Sequence, residues 1–152
     1  MSTPLSEIVS LLDSTLRIAE IRDASVAMNG LQVENDGTVT KVALAVDGSQ
    51  KSIDDAIAAG ADLLVLHHGI YWCGLQAVKG WWKQKLVSCL SHNLAIYSAH
   101  LPLDLHPQLG NNAGIADCIL YLKYFAARSG IFGDTIRCGR CAQIGPQYAT
   151  VF

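Results

Sequence analysis

Side chains able to bind a metal or carry a proton gather at two places in the chain: His67 and His68 in "ADLLVLHHGIYW", and His100 and Asp104 in "HLPLD". Imidazole nitrogen suits zinc, iron, nickel and copper, while a carboxylate adds affinity for harder ions and can bridge two of them. Successive strand residues point to opposite faces of a sheet, so adjacent histidines share a ligand direction only if the chain has already left the strand. The following Gly69 suggests that it has. Histidines with diverging directions can instead each serve one of two neighbouring ions, with a carboxylate from the next strand end spanning them. His100 then orients a ligand or acts as the acid or base.

The competing residues read more plainly. Asp47 precedes a glycine, the ordinary place for a turn aspartate. His92 sits at a helix end, where a cation favours the dipole. His106 precedes Pro107 and belongs to a turn. Cys138 and Cys141, in "CGRC", have the spacing of half a zinc knuckle, but no second ligand pair follows. Trp72, Trp81 and Trp82 flank the histidines and are assigned to packing. No P-loop, dinucleotide fingerprint or nucleophile elbow is found.

The elements that must position these groups alternate. "PLSEIVSLLDSTLRIAEI" predicts an opening helix over Pro4 to Ile21, with Ser2 or Thr3 as its cap. "MNGLQVENDGTVT" holds two turn dipeptides around a short extended piece at Leu31 to Val33. "KVALAVDGS", "QKSIDDAIAAG" and "ADLLVLHHG" then read as strand, helix and strand, a βαβ unit with parallel strands and a right-handed crossover. "KGWWKQKLVSCLSHN" and "LAIYSAH" add a helix and a third strand. A last helix is expected from Ala113 to Ala127. The predicted fold is α/β: a mostly parallel sheet flanked by helices, covering residues 1–130, with an irregular tail over 131–152 that ends on the apolar "YATVF". Ligands of such sheets bind beyond the carboxyl ends of the strands. Asp47, His67, His68 and His100 all end strands on that one edge, so the site is expected there.

Composition narrows the class. At 152 residues, 51% hydrophobic and 16% charged, the chain can bury a core. A net charge of -2 gives a phosphate backbone nothing to be drawn by, which argues against nucleic-acid binding. No segment approaches the roughly 18 apolar residues of a membrane span, and no secretory leader is read at the start. Five scattered cysteines fit reduced thiols. The expected location is the cytoplasm.

Taken together, "NGLQV" at Asn29 to Val33, "GADLLVLHHGIYW" at Gly60 to Trp72 and "HLPLDLHPQLGNNAGIA" at His100 to Ala116 resemble the Nif-three-like family of dinuclear-metal proteins, often named GTP cyclohydrolase type-two homologues. The resemblance implies two divalent ions, zinc, iron or manganese, in a complete site, with His67, His68 and Asp104 as ligands. It also implies a homo-oligomer, a hexameric ring with sites facing an inner cavity. Relatives of this kind continue into a second half that supplies a histidine and a glutamate spaced H-x-x-x-E. No histidine follows His106 here, so the chain is expected to be a first half with an incomplete site. The function implied is that of a metal-dependent hydrolase, GTP cyclohydrolase-like or a phosphoesterase, acting on a small nucleotide or phosphoester. The alternative is a non-catalytic metal-binding or scaffolding module that works through assembly and partner contact.

Overall fold

The computed structural model describes residues 2–118 and 150–151. The chain divides into two compact units, Met1–Pro102 with Ala149–Phe152, and Leu103–Tyr148.

In the first unit, strand β1 (Thr3–Pro4) leads directly into helix α1 (Leu5–Leu16). The helix is shorter than its apolar pattern predicts. Arg17 takes a left-handed conformation, φ 56°, and closes it. The expected Ser or Thr cap is absent, because Thr3–Pro4 pairs antiparallel with β3 (Thr38–Val39) instead. The Leu5 amide, one of the donors a helix start leaves without an internal partner, is satisfied by the Gly37 carbonyl at 2.8 Å.

The predicted βαβ unit is present as β4 (Val42–Asp47), α2 (Gln50–Ala58) and β5 (Leu63–His68), followed by α3 (Gly80–Ser91) and β6 (Ala95–Ser98). Ser49 caps α2 by accepting the Ser52 amide. Beyond α2, Gly60 has φ 71°, a conformation glycine adopts without a Cβ penalty. β4, β5 and β6 run parallel.

The edges of this sheet differ from its centre. The short extended piece at Leu31 to Val33 is a true strand, β2 (Gly30–Val33), antiparallel to β6 with an irregular register between Leu31 and Val33. The apolar end "YATVF" also has a partner: β7 (Thr150–Val151) lies antiparallel to Ala43 and Leu44 of β4. Among the described residues the order of this sheet is β2-β6-β5-β4-β7.

Alternation assigns the two faces. Leu64, Leu66 and Ile96 point to α2 and α3 and join Ile53, Ala56, Trp82 and Cys89 in one buried cluster. Tyr97 points the other way, fully buried, and its hydroxyl donates to Asp13 of α1 at 2.8 Å. Burial, together with that bond and the Asp13 charge, pushes the Tyr97 hydroxyl pKa well above its ordinary range. Burial likewise pushes the Cys89 thiol up to about 11. Among the described residues no helix is long and apolar enough to cross a membrane.

In the second unit, residues 111–118 are helical, so the last helix starts two residues before the expected Ala113. The rest of that helix, the pair Cys138 and Cys141, and most of the predicted tail lie outside the described residues.

Candidate functional site

β5 ends on His68, whose partner in the parallel register is Asp47, the last residue of β4. His100 follows β6 by two residues. Both His67 and His68 are still within the strand, contrary to the expectation that the chain must first leave it. Their rings nevertheless lie 4.6 Å apart, and each is near His100, at 4.9 and 5.4 Å. An imidazole is long enough to lean over the end of a sheet, where no further residue stands in its way. One ring nitrogen from each of the three histidines lies within 4.8 Å of the others, a spacing that can hold a metal ion.

The rings are oriented by their other contacts. His67 Nδ1 meets the Ala99 carbonyl at 3.1 Å, and His68 Nδ1 meets the Asp47 carboxylate at 2.7 Å. Both partners only accept hydrogen bonds, so Nδ1 is the donor in each ring and Nε2 is the nitrogen on its far side. Histidine ligands of metals are commonly held in this way, with the second nitrogen donating to a carbonyl or carboxylate. The donor set therefore fits a divalent ion. Asp47, read from the sequence as a turn residue, is instead the group that sets His68.

Asp23 was not singled out in the sequence at all. It reaches His100 Nδ1 with both oxygens, at 3.0 and 3.1 Å, and its side chain is only 5% exposed. Its carboxylate also accepts from Asn29 Nδ2 and from the amides of Ala24 and Leu101. Burial alone would raise the Asp23 pKa, but these hydrogen bonds outweigh it and lower the value to about 2. Asn29 adds a second hold, its Oδ1 accepting the His100 amide at 2.7 Å.

The other motif residues support the chain around the histidines. Gln32 accepts the Ile70 amide and donates to the carbonyls of Ala27 and Met28. Its amide packs so closely on Gly69 that an added Cβ would lie 2.2 Å from it. Gly69 is thus needed for close approach, in addition to ending the strand run. Trp72 rests against His68 and His100, with ring centroids 4.6 and 4.5 Å away. Trp82 is a core residue, and Trp81 lies under the Lys85 ammonium.

Asp104 belongs to the second unit, where Asn111 donates to its carboxylate at 3.1 Å. Among the described residues, those that gather as a possible metal set are His67, His68 and His100. His92 bonds locally to the Ser88 carbonyl at the end of α3. His106 Nδ1 accepts the amides of Gln108 and Leu109, as a turn residue does.

Comparison with known proteins gives consistent matches. The family model of Duf34/NIF3 (NGG1p interacting factor 3) matches residues 3–139. A protein of Archaeoglobus fulgidus described as a GTP cyclohydrolase 1 type 2 homolog is 48% identical over 111 residues, covering 73% of this chain and 44% of that protein. The Escherichia coli K12 protein of the same description is 42% identical over 112 residues, with 73% and 44% covered. Among solved structures, TTHA1606 from Thermus thermophilus superposes with a TM-score of 0.72 at 36% identity, covering 76% of this chain and 47% of that one. The protein ybgI, described as of unknown function, gives 0.70 at 40% identity, with 76% and 46% covered. The chain spans less than half the length of each of these relatives.

Proposed function

The chain belongs to the Duf34/NIF3 family, and from that premise we propose that it is a metal-dependent, hydrolase-like protein whose divalent ions are held through His67 and His68. The observation that carries this reading is the convergence of three imidazoles at one sheet edge, with His67 and His68 each turned by an oxygen acceptor at Nδ1. Such nitrogen donors suit zinc, iron or manganese. When bound, a divalent ion supplies Lewis-acid polarisation and acidifies water. Two ions are assigned to a complete site. Asp104 takes the part of carboxylate ligand on the family resemblance alone.

The protein's own residues do the rest. Asp47 and the Ala99 carbonyl keep the two ligand rings from rotating, so little ordering remains to be done when an ion arrives. His100, beside both rings, receives or returns a proton as the acid or base. Trp72 covers the His68 and His100 rings on one side and limits the water that reaches them. The substrate class in this reading is a small nucleotide or phosphoester, the assembly a homo-oligomer in the form of a hexameric ring, and the location the cytoplasm.

The test is elemental analysis of the purified 152-residue chain at neutral pH after exposure to micromolar zinc, manganese and iron. Metal retained by the wild type and lost in His67→Ala supports the reading, and retention also lost in Asp104→Ala supports the assigned carboxylate. A chain that keeps no ion under any of these conditions would sink it.

A further inference from the structure

We infer that Asp23 is the positioning residue of this site: it holds the His100 proton on Nδ1 and leaves Nε2 as the nitrogen that faces the chemistry. The Asp23 side chain is nearly sealed from solvent and receives hydrogen bonds from four separate groups: Asn29 Nδ2, the amides of Ala24 and Leu101, and the His100 ring. The Asn29, Ala24 and Leu101 N–H groups each require an acceptor. A carboxylate in that cage has no proton to give, so the imidazole must supply the hydrogen of the bond between them.

Asn29 makes the arrangement stiff. Its Nδ2 donates to Asp23 while its Oδ1 accepts the His100 amide, so one side chain fixes the carboxylate and the backbone it serves. A device meant only to pin the loop to the end of β6 would be complete with Asn29 and the Leu101 amide. The imidazole contact goes further, because it selects a tautomer on a ring 4.9 Å from His67 and 5.4 Å from His68.

Substitution by asparagine discriminates because its amide has one acceptor and one donor end. Asp23 Oδ2 faces two N–H donors besides the ring, from Asn29 and Leu101, whereas Oδ1 faces only the Ala24 amide. The asparagine oxygen therefore stays on the Oδ2 side, and its NH2 is left facing the ring. His100 Nδ1, 3.0 Å from the one position and 3.1 Å from the other, then faces a donor and an acceptor together, and the share of rings with the proton on Nε2 rises.

The experiment is long-range proton–nitrogen NMR on the metal-free, nitrogen-labelled 152-residue chain, at a pH where the imidazoles are neutral. The wild type is expected to show the His100 proton on Nδ1. Asp23→Asn is expected to raise the share protonated on Nε2, and Asn29→Ala, which leaves the carboxylate in place, to keep the proton on Nδ1. A wild-type proton on Nε2 overturns the inference outright, without needing a folded variant. It is equally overturned if Asp23→Asn leaves the tautomer ratio unchanged, or if Asn29→Ala alone displaces the proton. The inference rests on the metal-site reading only for what Nε2 does next. A chain that binds no ion would defeat that reading and leave this tautomer result standing.

Discussion

His100 and His106 are six residues apart and use the same ring nitrogen in opposite ways. His100 Nδ1 faces a carboxylate and donates, whereas His106 Nδ1 faces the amides of Gln108 and Leu109 and accepts. His106 spends its lone pair on closing a turn of its own chain. His100 turns its other nitrogen to the far side of the ring, and so do His67 and His68, whose Nδ1 atoms are tied to the Ala99 carbonyl and Asp47. What separates a histidine that builds a turn from one able to do chemistry is therefore whether its near partner takes a proton or gives one.

The most forceful way to break this comparison is to remove an acceptor behind a site ring. Asp47→Ala is expected to lower zinc affinity about 10–100-fold, the usual effect of losing a partner behind a ligand, while His106→Ala leaves it unchanged. Titration against a competing chelator reads both, and equal affinities in the two variants would erase the distinction. A second contrast concerns packing. A Cβ at Gly110 would meet the carbonyls of Asp104, His106 and Leu103 at 2.6–2.8 Å, and one at Gly69 would meet the pinned Gln32 amide. Each alanine substitution is expected to cost about 1–3 kcal/mol in denaturant unfolding. Gly69→Ala should also disturb metal binding through the neighbouring histidines.

Asp62 offers a smaller effect with a defined pH sign. Burial raises its pKa, but hydrogen bonds from Thr40 and Lys41 and the Lys41 charge outweigh this and lower it below 3.8. A depressed folded value means the stabilisation is fully present above the unfolded pKa and is lost as pH falls through the folded one. Asp62→Ala is expected to lose about 1 kcal/mol at neutral pH, and the gap to the wild type should close as pH is taken below 3.8. Smallest of all is the turn itself. His106→Ala gives up two exposed hydrogen bonds and should cost roughly 0.5 kcal/mol, visible only as a slight shift of the unfolding midpoint.

The strand and helix alternation from Val42 to Ser98 was legible because valine- and leucine-rich runs, a serine cap and the Gly60 stop all agree locally. The double histidine and His100 were legible for the same reason, since parallel strands must deliver their ends to one edge. Asp23 was not, because nothing near it in "EIRDAS" marks it. Its meaning comes from His100, 77 positions away, and only the folded chain brings the two together. Asp47 shows a different failure. Its local context, an aspartate before glycine, is true of a turn and says nothing of the ring across the next strand. Gln32 was read as part of a short extended piece, and its three hydrogen bonds to the chain around Ala27 and Ile70 carry no periodic signature.

Trp72 gives the edge a built-in optical probe. Its indole touches two of the three imidazoles, whereas Trp82 is buried in the core and Trp81 stands half exposed beside Lys85. The three fluorophores thus occupy three different surroundings, and a quenching ion such as copper or cobalt arriving at the histidines should dim one of them. Occupancy could then be followed by emission in unlabelled protein, with Trp72→Phe as the blank.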